Sequence, residues 1–134
     1  MKRFKKVLLV DSDPISAYLS TILMQQAGFT EEINAADSGE QAHEMLLRCC
    51  ATPEEAAACP DLILLDPYLV DMDGFEFLEA CRQLPLTPKI VLLSNAKPRQ
   101  YAEQAKGLGP FDYLLKPLTA EALDLIRKLA KSKV

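Results

Sequence analysis

Leu62-Ile63-Leu64-Leu65-Asp66 is the stretch that decides the fold: four apolar residues in a row, ending on a carboxylate. A strand with one face in water alternates apolar and polar side chains. This run does not alternate, which predicts a strand covered on both faces, as in parallel sheets sandwiched between helices. Similar runs flank it in the chain. Val7-Leu8-Leu9-Val10 ends on Asp11, Ile90 to Leu93 ends on Ser94, and Phe111 to Leu115 ends on Lys116. A more polar segment, Glu32 to Ala36, has the composition of an edge strand.

Helical patterns fill the gaps. From Pro14, apolar Ile15, Tyr18, Leu19, Ile22 and Leu23 recur at i, i+3, i+4, i+7 and i+8, which predicts that this stripe faces the core. Pro14 suits the first helical position and Gly28 the end. Ser38 with Gln41 reads as a capping box. The helix it opens carries Ala42, Met45, Leu46, Cys49 and Cys50 on one face. Thr52-Pro53-Glu54-Glu55 starts a short helical insertion over 52–59, stopped at Pro60. Asp73 and Glu76 suit the start of a third helix, with Phe77, Leu78 and Cys81 turned inward. A fourth helix is predicted over Pro98 to Lys106. The last begins near Thr119 and turns Ala122, Leu125, Ile126 and Leu129 inward. Strict alternation of five strands and helices predicts an α/β fold, a doubly wound five-stranded parallel sheet of order 2-1-3-4-5. Its 134 residues fit one domain, 1–134, with nothing left over for a second.

Composition excludes several classes. Hydrophobic residues make up 49% and charged residues 25%, an ordinary globular mixture. A net charge of -4 argues against a nucleic-acid surface, which needs clustered cations; the run Lys2, Arg3, Lys5, Lys6 is short and terminal. No apolar run approaches the roughly 20 residues that cross a bilayer, and no signal-peptide core precedes Asp11, so the expected location is cytoplasmic with no membrane contact. The four cysteines have no zinc spacing and make a poor disulfide framework; Cys50 and Cys81 fall on apolar helix positions and read as small hydrophobes, with a redox role left as a minor alternative for Cys49 or Cys59. His43 lies beside an apolar stripe without a metal partner, and Phe75 and Phe77 read as core.

Open parallel sheets bind ligands beyond the carboxyl ends of their strands. Asp11, Ser12 and Asp13 follow the first strand there, Asp66 the third, Ser94 the fourth, and Lys116-Pro117 the fifth. Stability asks for no such gathering of acids, a hydroxyl and an amine on one rim. Carboxylates suit Mg²⁺, a hard cation that prefers oxygen ligands. A carboxylate can also be a nucleophile that forms an acyl phosphate, and an ammonium neutralises phosphoryl oxygens.

The sequence resembles the receiver domain of two-component response regulators. The resemblance rests on Asp11-Ser12-Asp13-Pro14, on Asp66 with Asp73-Gly74 downstream, on Ser94, and on Asp112-Tyr113-Leu114-Leu115-Lys116-Pro117. It implies a flavodoxin-like fold in which Asp66 is phosphoacceptor and Mg²⁺ ligand. Asp11 and the backbone carbonyl of Tyr68 complete the metal site. Lys116 binds phosphate, Ser94 is the switch hydroxyl and Tyr113 the switch aromatic, and Gly74 and a cis Lys116-Pro117 bond shape the loops. The implied phosphodonor is a sensor histidine kinase, a phosphotransfer protein or a small acyl phosphate. The implied output is a downstream protein target or a homodimer, engaged through the fourth helix, fifth strand and fifth helix. Such a chain is a switch and not an enzyme with an external substrate.

One departure bears on chemistry. Ser12 stands where the family usually has a second acid contributing to the metal site, so Mg²⁺ affinity is expected to be weakened unless Asp13 or a water compensates, with Ser12 and Asp13 both kept as candidate further ligands. Leu69-Val70 replaces the usual Met-Pro. Two alternatives follow. One is a degenerate receiver that binds partners without phosphorylation. The other, a distant third, is a haloacid-dehalogenase-like phosphatase with Asp11 as nucleophile and Asp13 as acid/base, which lacks the late acidic pair that its Mg²⁺ would need.

Overall fold

Side chains alternate across a strand, so each apolar run supplies two cores at once. In the computed structural model, which describes residues 4–49, 59–72, 74–84, 89–94 and 112–131, this is what the central strands do. The strands are β1 (Phe4–Val10), β2 (Thr30–Ala36), β3 (Leu62–Leu65), β4 (Lys89–Ser94) and β5 (Asp112–Leu115), all paired in parallel in the order β2-β1-β3-β4-β5. The helices are α1 (Pro14–Gln26), α2 (Gly39–Cys49), α3 (Gly74–Arg82) and α4 (Ala120–Lys131). Leu8, Val10, Ile63, Leu65, Ile90 and Leu92 point to one face, where α2 and α3 cover them with Ala42, Leu46, Phe77, Leu78 and Cys81. Val7, Leu9, Leu62, Leu64, Val91 and Leu93 point to the other, against Met24 of α1 and Leu123 and Ile126 of α4. Truncating any of these Leu or Ile residues to Ala would cost about 2–5 kcal/mol. The result is an α/β fold with a parallel sheet between two layers of helices.

The helix ends follow local chemistry. Asp13 caps α1, its Oδ1 accepting from the N–H groups of Ile15 (3.0 Å) and Ser16 (3.4 Å), with Pro14 at the first position. Gly28 adopts φ +60°, which lets Phe29 N–H reach the Met24 carbonyl (3.1 Å) and Gly28 N–H the Gln25 carbonyl (3.2 Å). That is a Schellman ending, built on glycine's tolerance of left-handed backbone. Ser38 Oγ accepts from Gln41 N–H (3.1 Å), while the Gln41 side chain accepts from Asp37 N–H (2.8 Å), one residue further back than a capping box prescribes. Thr119 caps α4 through Ala122 N–H (3.1 Å). Arg127 fastens α4 to the end of α1, donating to the Ala27 carbonyl (3.2 Å) with its guanidinium 5.2 Å from the centre of the Phe29 ring.

Three expectations are corrected. The Ile15/Tyr18/Leu19 stripe of α1 does not face the core: these residues are 71%, 65% and 57% exposed. The helix instead buries Ser20 and Met24, with Ala17 and Leu23 packed beside them. Small Ala17 and Ser20 let the helix backbone approach the sheet, and the long Met24 fills the space at its far end. In α4, Leu125 is exposed and Leu123, two residues earlier and about 200° around the helix, is buried. Cys59 is disulfide-bonded, its partner lying outside the described residues, whereas Cys49 and Cys81 are thiols. Strands β1 and β2 also start earlier than their apolar patterns, because backbone pairing continues through polar positions such as Lys6 opposite Glu32. The predicted 52–59 insertion, the 98–106 helix, Cys50 and Asp73 lie outside the described residues, as do the side chains of Phe75 and Leu129.

Candidate functional site

The parallel ladder itself brings the rim together. Val10 pairs with Leu65 in register, so the next residues, Asp11 and Asp66, emerge side by side. Asp11 N–H donates to the Ala36 carbonyl (3.0 Å) and Asp66 N–H to the Val10 carbonyl (2.9 Å), fixing both at the ends of their strands. Ser94 pairs with Leu115, which places Lys116 one step beyond the end of β5. The Lys116-Pro117 peptide bond is cis. Lys116 Nζ donates to Asp66 Oδ2 (2.7 Å) and to Asp11 Oδ2 (2.8 Å). Three residues up to 105 positions apart thus meet on one ammonium.

Electrostatics makes this centre tight. Asp11 is 2% exposed, and Lys116 is largely covered. Burial pulls the Lys116 pKa down more than any other single effect. The hydrogen bonds and negative charges of Asp11 and Asp66 together outweigh it and leave the ammonium raised above its ordinary value. The remaining carboxylate oxygens are held by backbone: Asp13 N–H donates to Asp11 Oδ1 (2.9 Å), and Tyr68 N–H to Asp66 Oδ1 (2.9 Å). An ammonium carries three N–H donors, of which two are spent here.

The fit to a divalent cation can be judged from the donors. Asp11 and Asp66 bring two carboxylates to one lysine, and hard oxygen donors of this kind suit Mg²⁺ with several of its waters retained; among the described residues no group of three or more His, Cys, Asp or Glu side chains gathers to hold a metal. Ser12 and Asp13 are engaged elsewhere. Ser12 Oγ donates to the Asp37 carbonyl (2.9 Å) and accepts from Val70 N–H (3.1 Å). The Asp13 carboxylate is the α1 cap. Ser12 Oγ and Asp13 Oδ1 are thus spent on neighbouring backbone groups. Ser94 closes β4 at the rim opposite Leu115, whereas Tyr113 lies two residues further back on β5, opposite Leu92; the side chains of both are outside the described residues.

Asp71 has a role that sequence reading missed. Its two carboxylate oxygens accept from Gly39 N–H and Glu40 N–H, each at 2.9 Å, so it caps α2 from 31 and 32 residues away. These N–H groups, Glu40 first, hold its carboxyl below the usual range. A donor count would have pointed to it: Ser38 satisfies only Gln41 in the first turn, which leaves Gly39 and Glu40 needing an acceptor.

Comparison with known proteins agrees with this geometry. The family described as "Response regulator receiver domain" matches residues 7–128. The transcriptional regulatory protein CitT of Halalkalibacterium halodurans is 32% identical over 123 residues, covering 92% of this chain and 50% of CitT. The sensory transduction protein LytT of Bacillus cereus is 31% identical over 129 residues, covering 96% and 48%. The chain thus spans about half the length of the curated relatives it matches. Among solved structures, a two-component response regulator from Cytophaga hutchinsonii superposes with a TM-score of 0.84 at 25% identity, covering 98% of this chain and 99% of that one. The chemotaxis response regulator CheY4 of Vibrio cholerae does so with a TM-score of 0.73, also at 25% identity, covering 95% and 97%. With these likenesses and its paired rim carboxylates on a shared lysine, the chain belongs to the response regulator receiver domain family.

Proposed function

We propose that this receiver domain accepts a phosphoryl group on Asp66. The observation that carries the reading is the Lys116 ammonium held between Asp66 and Asp11. An Asp66 oxygen attacks phosphorus of a phosphohistidine or a small acyl phosphate. The new O–P bond forms as the P–N or P–O bond to the donor breaks, and the donor imidazole or carboxylate leaves with the bonding pair. The third N–H of Lys116 faces the incoming phosphoryl oxygens, and the Tyr68 N–H fixes the other carboxylate oxygen of Asp66. Asp11, Asp66 and the Tyr68 carbonyl would hold Mg²⁺, which would supply positive charge to the phosphoryl oxygens. Ser94 and Tyr113 carry the change to the partner-binding face as switch residues.

The chain acts as a cytoplasmic switch in one domain and not as an enzyme on an external substrate. Its donor is a histidine kinase or phosphotransfer protein, and its output passes to a protein target or a second copy through the helix predicted over 98–106, β5 and α4. Among the described residues no helix is long and apolar enough to cross a membrane. The groove beside the site, lined by Asp13, Ile15, Leu19, Lys116, Pro117 and Leu118, together with the exposed α1 stripe, suits the approach of an apolar helical donor surface.

Intact mass after incubation with Mg²⁺ and a small acyl phosphate tests the reading. The expected result is a gain of one phosphoryl group in the wild type and none in Asp66→Ala. A second reading, a degenerate receiver that signals by binding alone, draws on the diversion of Ser12 away from the metal position. No gain by the folded wild type at high Mg²⁺ would favour it and overturn the first.

A further inference from the structure

The loop that carries Asp66 is fastened to a neighbour that takes no part in the chemistry. Residues 67–72 close on themselves through Gly74 N–H and the Pro67 carbonyl (3.0 Å). Two side chains then tie this loop to the start of α2. Ser12 spans from the Asp37 carbonyl to Val70 N–H, with one hydroxyl serving both loops. Asp71, on the next residue of the loop, places both carboxylate oxygens on the first N–H groups of α2. A carboxylate there is favoured by the helix dipole as well as by the two hydrogen bonds. Met72 completes the contact: it lies so close over Gly39 that a Cβ at that position would come within 2.5 Å of its Cγ.

We propose that Ser12 and Asp71 are positioning residues forming one clasp between the Asp66 loop and α2, and that this clasp sets the geometry of Asp66 for phosphoryl transfer. The inference rests on the assignment of Asp66 as phosphoacceptor and goes beyond it. Ser12 and Asp71 hold adjoining ends of the same short segment, Val70-Asp71, against the same stretch, Asp37 to Glu40. Releasing either end frees the segment and with it the backbone of Tyr68, whose N–H orients the Asp66 carboxylate. The hydroxyl at position 12 therefore acts through the loop and not as a ligand in place of a carboxylate.

The test has two arms. In the first, amide hydrogen exchange is followed by NMR in the unphosphorylated wild type, Ser12→Ala, Ser12→Thr and Asp71→Ala. One clasp predicts cross-effects: Ser12→Ala speeds exchange at Gly39 and Glu40 as well as at Val70, and Asp71→Ala speeds it at Val70. Ser12→Thr, which keeps the hydroxyl, leaves protection in place. In the second arm, the initial rate of Asp66 phosphorylation by a small acyl phosphate falls on the order of tenfold in Ser12→Ala and in Asp71→Ala. The double variant is no slower than the slower single, because both remove one constraint, and Ser12→Thr retains the rate. Exchange changes confined to each side chain's own partner would overturn the clasp. Unchanged rates in variants of a wild type that is itself phosphorylated would overturn the positioning role. A wild type that takes no phosphoryl group would instead overturn the Asp66 assignment, leaving the exchange arm to decide on the clasp alone.

Discussion

Lys116→Met isolates the charge at the centre of the site, because methionine keeps the apolar stem and removes the ammonium. The substitution strands Asp11, whose Oδ2 has Lys116 as its partner at 2.8 Å and whose side chain is 1% exposed. Breaking a fully buried ion pair by removing one member costs about 3–5 kcal/mol. Here the side chains of Asp66 and Lys116 are 14% and 11% exposed, so water at the rim recovers part of that cost. The expected loss is about 2–3 kcal/mol at neutral pH, or roughly 10 °C in Tm for a chain of this length. Urea unfolding followed by far-UV circular dichroism measures it. A pH signature separates charge from packing. The folded pKa of Lys116 is raised, so its contribution is fully present below the unfolded value of 10.5 and is lost as pH rises through the folded value. The stability gap between wild type and Lys116→Met should therefore hold constant from neutral pH to that point and narrow beyond it. A gap below about 1 kcal/mol at neutral pH, or one that persists unchanged at strongly alkaline pH, would refute the electrostatic account.

Other positions give narrower tests. Gly39→Ala pushes a methyl group into Met72 and should cost about 1–3 kcal/mol in urea unfolding, with most of the loss relieved by adding Met72→Ala. Gly28→Ala meets no atom within 4 Å but demands φ +60° of a residue with a Cβ. It should cost about 1 kcal/mol, with no second-site relief by trimming neighbours. Burial pushes the Cys81 thiol up to about 12, so iodoacetamide at neutral pH should label Cys49 well before Cys81 in the folded protein, and equal labelling rates would contradict the packing of α3. The Asp71 carboxyl is held below its usual range, so the stability it gives α2 is present above an ordinary carboxylate pKa and lost as pH falls through the folded value. The acid limb of the urea midpoint should therefore flatten in Asp71→Asn.

What the sequence disclosed depends on how local its cause is. The central strands were legible because an unbroken run such as Leu62–Leu65 can be satisfied only between two layers, and the register of Val10 with Leu65 then forces Asp11 and Asp66 together. Once the strand ends are placed, the rim needs no further information, which is why Lys116 could be assigned to it from 50 residues away. Helix α1 defeats the same logic. Its stripe Ile15/Tyr18/Leu19/Ile22 and its stripe Ala17/Ser20/Met24 both have helical spacing, and periodicity favours the more apolar one. The sheet selects the other, since close approach rewards small residues over large ones, a tertiary preference that overrides hydrophobicity.

Ser12 carries the argument one step further. Counted as a ligand it is a defect, a hydroxyl where a carboxylate would draw the cation. Placed in the fold, it makes two hydrogen bonds across a junction where Asp71 makes two more. A carboxylate at position 12 could not reproduce this, because it has no proton to donate to the Asp37 carbonyl and would set a negative charge against that oxygen. Restoring the acid with Ser12→Asp should then have two opposed effects: more negative charge for Mg²⁺ at the site, and a looser Asp66 loop. Mg²⁺ titration and Val70 amide exchange on that one variant separate them. Tighter Mg²⁺ binding with faster Val70 exchange is the expected pair. Tighter binding with Val70 protection unchanged would mean that the hydroxyl contributes nothing that a carboxylate lacks.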